Sequence, residues 1–476
     1  TNTIYLFADS PMLVGMTNDR NTRVTLNGPV ALSTNTLHLR GGGFGTINGA
    51  ISGTGANALK KSDAGTWVLA GENTFTGRVT VAGGVLTVAN SAALPLGVPL
   101  TVSGGNLNLN GLTVTNSSIV MQGGVLSNGT VYATGTSSLS GGRIDVLLTG
   151  PGGVTKSGSE TLVLNQITAY DGTTTISGGV LQFAQRTALY GGDTTKWNAT
   201  NIVVNSGGTL ALNVGGNGEF TADDLHVFNA IGSAGGGFLS GSFLGIDTTY
   251  APDGFISCSA TIDNANGNMR GLVKLGTGTL ELAGLNTFTG PMQLSNGVVS
   301  VSVLADSGVA SGIGMSSAYR DNLVFAGGTL RYTGPSVRSD RGFKYATPTN
   351  HYIFDIAQTN TMLTFSTIGN AVFYDNNTII VKKGPGALTF GKGPGTPYNF
   401  PVKAIHILEG GFFTESTNRV QHNVHNLASQ GPAILLGDGA VLGFNNPMEN
   451  YVNGDEMMVQ YVGTQRGARV TVDAWL

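Results

Sequence analysis

Residues 276–290 read GTGTLELAGLNTFTG, and residues 65–77 read GTWVLAGENTFTG. A phrase repeated so closely at two distant places points to repeated structure. Four versions can be aligned, each opened by a lysine: Lys61 to Leu69 (KSDAGTWVL), Lys156 to Leu164 (KSGSETLVL), Lys274 to Leu282 (KLGTGTLEL) and a degraded Lys382 to Phe390 (KKGPGALTF). Asn73-Thr74-Phe75-Thr76-Gly77 closes the first and Asn286-Thr287-Phe288-Thr289-Gly290 the third, while Tyr170-Asp171-Gly172 closes the second.

A shorter beat runs between these phrases: a glycine pair followed by alternating apolar residues. It occurs as GGVLTV (83–88), GGNLNL (104–109), GGVLSN (123–128), GGRIDV (141–146), GGVLQF (178–183), GGTLAL (207–212), NGVVSV (296–301) and GGTLRY (327–332). The first four begin 21, 19 and 18 residues apart and the fifth 37 later, close to two periods. Internal repetition at this period is the mark of a solenoid.

In Val85-Leu86-Thr87-Val88 alternate side chains face one side of a strand. The glycines before it supply the positive φ that turns a corner. One such coil cannot bury its own apolar row. Coils stacked in parallel pair their backbones with the coil below and share a continuous core. Antiparallel hairpins instead call for two-residue Asn-Gly turns between matched strands, whereas most glycines here sit at one end of each beat. The expected fold is all-β: a parallel β-helix of on the order of 20 coils spaced ~4.8 Å apart.

The phrase Gly-x-Gly-Thr-Leu-x-Leu-x-Gly-x-Asn-Thr-Phe-Thr-Gly resembles the autotransporter-associated β-strand repeat, found in passenger regions of large secreted bacterial proteins. GEFTADDLHVF (218–228) and GGTLRYTGPSVRSDRGF (327–343) resemble segments that accompany it. The resemblance is scattered over residues 50–390. It implies a right-handed β-helix at the bacterial cell surface or outside the cell, after removal of a signal segment.

The pattern divides the chain into residues 1–48 (entry coils or a cap), 49–213 (repeats), 214–265 (an irregular insertion), 266–390 (repeats) and 391–476 (degenerate coils and a C-terminal cap or assembly segment). Within the insertion, Thr221-Ala222-Asp223-Asp224 followed by Leu225 and Phe228 spells a capping box opening a short helix.

Composition agrees with many short strands and tight turns. Of 476 residues 74 are glycine, about twice the usual share. Only 11% are charged, while 40% are hydrophobic, which sets the chain apart from disordered polar sequences. A net charge of −3 without a basic run argues against nucleic acid and anionic membranes as partners. No apolar run is long enough for a transmembrane segment. The single cysteine, Cys258, excludes an internal disulfide framework. The start at Thr1 rather than Met is expected of a processed product or an excised fragment.

Each candidate for chemistry has a plainer reading. Gly42-Gly43-Phe44-Gly45-Thr46-Ile47 and Gly215-Gly216-Asn217-Gly218-Glu219-Phe220 lack the aspartate and tandem array of calcium-binding nonapeptides, and Asp263-Asn264-Ala265-Asn266-Gly267-Asn268 misses EF-hand ligand positions; all three are expected as turns. Of the histidines (38, 226, 351, 406, 422 and 425), only His422 and His425 lie close together, with Glu415 the nearby carboxylate, and ordinary surface residues are expected. Gly135-Thr136-Ser137-Ser138-Leu139 only echoes a serine nucleophile turn and is expected at a corner. Asp223-Asp224, the one adjacent acidic pair, suits a helix N-terminus better than glycosidase chemistry. Arg338-Ser339-Asp340-Arg341 is expected as a solvated loop. Lys61, Lys156, Lys274 and Lys382 are expected as one exposed lysine per structural unit. No catalytic, metal or cofactor-binding residue is assigned.

The function expected is therefore non-enzymatic: a structural subunit whose unpaired terminal coils associate head to tail into surface filaments or a sheath through residues 1–48 and 431–476. The alternatives are an adhesin or glycan-binding passenger, with aromatics such as Tyr190, Trp197 and Tyr250 along one face, and a polysaccharide-degrading β-helix enzyme.

Overall fold

The computed structural model describes residues 3–5, 8–13, 21–346, 350–366, 378–391, 404–415, 434–444, 459–461 and 469–472. Within them strand pairs with strand in parallel; the antiparallel contacts are isolated bridges such as Asn286 with Ser311. The chain forms two compact units. The first comprises residues 1–213, 218–220 and 231–243, and the second residues 214–217, 221–230 and 244–476. Both are parallel β-helices, as the beat requires.

In the first unit each coil gives one strand to each of two long sheets. An eleven-stranded sheet runs from Ser10–Leu13 to Gly237–Phe238. The facing sheet stacks, among others, Phe44–Ile47, Thr66–Leu69, Val85–Val88, Asn106–Asn108 and Val125–Ala133. Leu86 pairs with Trp67 below and Leu107 above, and Leu107 pairs with Leu126. The offsets between these partners equal the spacing of the beats, so period and register are one quantity. Trp67, Leu86, Leu107 and Leu126 form a buried column, each contributing about 1.5–3 kcal/mol by leaving water. The corner before each beat strand turns through a left-handed glycine, as at Gly84 (φ +60°) and Gly179 (φ +61°).

The second unit has a nine-stranded sheet from Phe255–Cys258 to Val459–Tyr461 and a six-stranded sheet from Val337–Ser339 to Arg469–Val472. Between its strands the core is aromatic. Phe325, Phe343, Tyr352, Phe354, Phe365 and Phe390 meet edge-on or tilted, with centroids such as Phe343–Tyr352 at 5.0 Å and Phe390–Phe412 at 5.5 Å.

The predicted helix is present at Ala222–Val227. Thr221 Oγ1 accepts from Asp224 N–H, and the Asp224 carboxylate accepts from Thr221 N–H. Leu225 and Phe228 are buried against the unit. The described parts of the tail are further coils: Gly411–Glu415 pairs with Val441–Phe444, which pairs with Arg469–Val472.

Candidate functional site

The lysines and the bridging asparagines of the repeat face inward and bind backbone. The largest departure from expectation is the lysine set: Lys61, Lys156, Lys274 and Lys382 are all 0% exposed. The Lys61 ammonium donates to the carbonyls of Ser62 (2.6 Å), Asp63 (2.8 Å) and Gly83 (3.0 Å). Lys156 does the same with Ser157, Gly158 and Gly178, and Lys382 with Lys383, Gly384 and Glu409. Lys274 donates to Leu275 and Gly276. Each lysine thus closes its own corner, and three of the four also hold the corner of the next coil, 22 residues on for Lys61 and Lys156 and 27 for Lys382. The physical reason is alternation: Lys61 follows buried Leu59 by two residues, so it shares the inward face.

Burial pushes Lys61, Lys274 and Lys382 down to about 8 from 10.5, outweighing the opposing pull of Asp63, Asp247 and Asp355, and lowers Lys156 too. Between pH 8 and 10.5 the unfolded chain therefore binds more protons than the folded one, and stability rises with pH through that window. Burial raises Tyr170, Tyr190 and Tyr332 above 10, so stability falls again as pH climbs beyond that value. The urea midpoint is expected to be higher at about pH 9.5 than at about pH 7. A lower midpoint at the alkaline point contradicts the linkage.

The closing phrase has an equally local cause. Asn73 Oδ1 accepts from Ile51 N–H one coil below (2.8 Å), and its Nδ2 donates to the Ala93 carbonyl one coil above (2.7 Å). Asn286 repeats this with Ile262 N–H (2.7 Å) and the Gly312 carbonyl (2.8 Å). Phe75 and Phe288 fill the core, and Gly77 and Gly290 lie where a Cβ would strike the backbone of the coil below.

Two arginines are also internal. Arg270 Nε donates to the Asp263 carbonyl and Nη1 to the Phe228 carbonyl, while Nη2 bonds Asn229 Oδ1. Arg341 gathers the carbonyls of Ala305, Asp306, Val309 and Gly314 and the Ser316 hydroxyl. Asp340 accepts from the Ser307 amide and hydroxyl, and Ser339 Oγ donates to the Ala305 carbonyl. The 338–341 segment is therefore a clamp on residues 305–316 rather than the solvated loop expected.

Other candidates resolve as structure. Tyr190 (4% exposed) and Trp197 (3%) are core residues, not a glycan-facing row; Tyr190 Oη donates to the Asn201 carbonyl and Trp197 Nε1 to that of Leu189. Tyr250 is 70% exposed. Ser137 is a buried strand residue, not a corner, and its Oγ accepts from Ile119 N–H. In the 263–268 turn Asn264 bonds Thr289 and Asn266 bonds the Ala230 carbonyl. His226 is exposed and His38, His351 and His406 half-buried; His422 and His425 lie outside the described residues. Among the described residues no group of three or more His, Cys, Asp or Glu side chains converges as a metal site would require, and no helix is long and apolar enough to cross a membrane.

Parallel coils with buried lysines clamping their corners define a β-helix. Three segments, residues 59–88, 154–183 and 272–301, match the passenger-associated-transport-repeat family. Each holds one corner lysine and the glycine of the next corner: Lys61 with Gly84, Lys156 with Gly179 and Lys274 with Gly297. The chain is also 32% identical, over 332 residues, to a protein named Adhesin BmaC autotransporter from Brucella suis biovar 1 (strain 1330); the match covers 66% of this chain and 9% of that relative. The chain thus spans only a small fraction of the curated relative's length. No solved structure matches it. The likeness to autotransporter passenger repeats read from the phrase is thereby shown.

Proposed function

We propose that this chain is a non-enzymatic stretch of a surface-displayed adhesin passenger, in which the coils form the scaffold and the irregular segments meet the target. One observation carries the reading. The buried lysine and asparagine side chains of the repeat phrase bind the protein's own backbone, as Lys61, Asn73, Lys274 and Asn286 do, and so stand apart from any reaction. The named adhesin relative supports the same class, and a passenger of that kind belongs at the bacterial surface or outside the cell. Some exposed apolar side chains lie in irregular segments, among them Tyr250, Leu285, Val309 and Tyr319, while others, such as Tyr132 and Phe255, lie on strands. Such side chains suit contact with another surface.

Beads coated with the purified chain are expected to attach to mammalian epithelial monolayers above the level of albumin-coated beads, while a panel of polysaccharides shows no release of reducing ends. Attachment equal to albumin, or glycan cleavage, rejects the proposal. Head-to-tail self-association is a second reading: among the described residues Ser10–Leu13, Val459–Tyr461 and Arg469–Val472 each end a sheet with one strand partner, an edge able to pair with a further coil of the same chain or of a second copy. Electron microscopy at high concentration separates the two, because filaments are required by this reading and single particles by the first.

A further inference from the structure

The residue that precedes the left-handed glycine at the four lysine corners varies. It is Gly83 beside Lys61, Gly178 beside Lys156, Asn296 beside Lys274 and Glu409 beside Lys382. Asn296 is exposed, and Gly297 adopts φ +62° with no side chain to screen its nitrogen. The Gly297 N–H lies 2.8 Å from Asn296 Oδ1, the carboxamide of its own neighbour. The ladder starts one residue later, where Val298 N–H donates to the Gly278 carbonyl.

Among the described residues five other Asn-Gly pairs are held differently, and at a sixth, the exposed Asn217–Gly218 (Gly218 φ +75°), the Gln185 carboxamide oxygen and not a lysine stands beside the glycine. The Asn48 amide donates to Asn27 Oδ1 (2.7 Å), which engages the side chains of both pairs, 27–28 and 48–49. Gly111 N–H donates to the Asn128 carbonyl (2.7 Å), and Asn128 Nδ2 to Asn108 Oδ1 (3.2 Å). Asn266 Nδ2 donates to the Ala230 carbonyl (2.7 Å). Each tie takes up either the glycine nitrogen or the carboxamide that would have to meet it.

Lys274 adds a second element. Its Nζ would lie 2.9 Å from a Cβ built on Gly297, so a cation sits beside this corner. A cation there favours the negative charge that develops when the amide nitrogen attacks a carbonyl.

We infer that Asn296–Gly297 is a self-modifying site at which the asparagine deamidates spontaneously through a succinimide. The Gly297 nitrogen bonds to the Asn296 side-chain carbonyl carbon and gives up its proton. The bond from that carbon to the side-chain nitrogen breaks, and ammonia leaves. One water then opens the five-membered ring at either carbonyl, giving aspartate or isoaspartate. The aspartate product makes the third lysine corner resemble the fourth, where Glu409 already places a carboxylate whose charge acts on Lys382. The isoaspartate product lengthens the backbone by one carbon at the corner that Lys274 closes.

Peptide mapping of the folded chain after prolonged incubation near neutral pH, where Lys274 keeps its charge, tests this. The peptide carrying Asn296 is expected to gain one mass unit and isoaspartate roughly tenfold faster than those carrying Asn27, Asn48, Asn110, Asn128, Asn217 and Asn266. In urea the seven rates are expected to converge. Asn296 converting no faster than the others in the folded chain overturns the inference. Asn296→Gly, which restores the residue found at 83 and 178, is expected to fold and to lose the mass gain in that peptide. A persisting gain there overturns it equally.

Discussion

Replacing Gly290 by alanine is expected to destabilise the second unit by about 3 kcal/mol or more. The added Cβ would stand 2.3 Å from the Arg270 carbonyl oxygen and 2.6 Å from the Gly271 nitrogen. Both are backbone atoms of the coil below, and Gly290 N–H already donates to that carbonyl at 3.1 Å. No side chain can rotate away, and the spacing of coils is fixed by their pairing at ~4.8 Å. Gly77 is in the same position against the Gly55 carbonyl (2.2 Å), so Gly77→Ala is expected to do comparable damage in the first unit. Gly235, with nothing within 4 Å of its notional Cβ, is the control. The check is the thermal midpoint by circular dichroism for all three variants. A Gly290→Ala midpoint equal to that of Gly235→Ala would refute the close-approach argument.

The second large effect is expected at the lysines. Lys61→Met keeps the stem and removes the ammonium from three carbonyls. Hydrogen bonds to charged groups contribute about 1.5–3 kcal/mol each, offset here by relief of the cost of burying the charge. A net loss of about 2–4 kcal/mol remains. Lys60→Met, one residue earlier on the exposed face, is expected to stay within about 0.5 kcal/mol of the parent. Urea unfolding followed by the buried Trp67 reports both. Equal midpoints for the two variants would mean that the clamp contributes nothing.

The neighbouring pair 60 and 61 also shows what a reader of the sequence could see. The glycine beat gave the coil, the corner and the register, because each depends on residues close together in the chain. The same alternation that placed Leu59 inward also placed Lys61 inward, and likewise Lys156 after Val154, Lys274 after Leu272 and Lys382 after Ile380. Burial was therefore legible, and the usual preference of lysine for water hid it. The partners were not legible: the Gly83 carbonyl is brought to Lys61 by stacking, not by sequence proximity. Asn73 and Asn286 occupy one place in the phrase, yet their bridging depends on coils on both sides. Arg341 had no periodic signal, since residues 305–316 reach it from an irregular segment. Tyr190 and Trp197 lie outside the beat, where alternation has nothing to say about facing.

The forward grip of these lysines has a mechanical corollary within each unit. A strand held only by the coils before and after it yields to tension one layer at a time, not all at once. Every layer surrendered pays out ~20 residues, roughly 70 Å of slack when fully drawn. A tether made this way lengthens under a tug in small recoverable steps, with Lys61, Lys156 and Lys382 as catches along the thread.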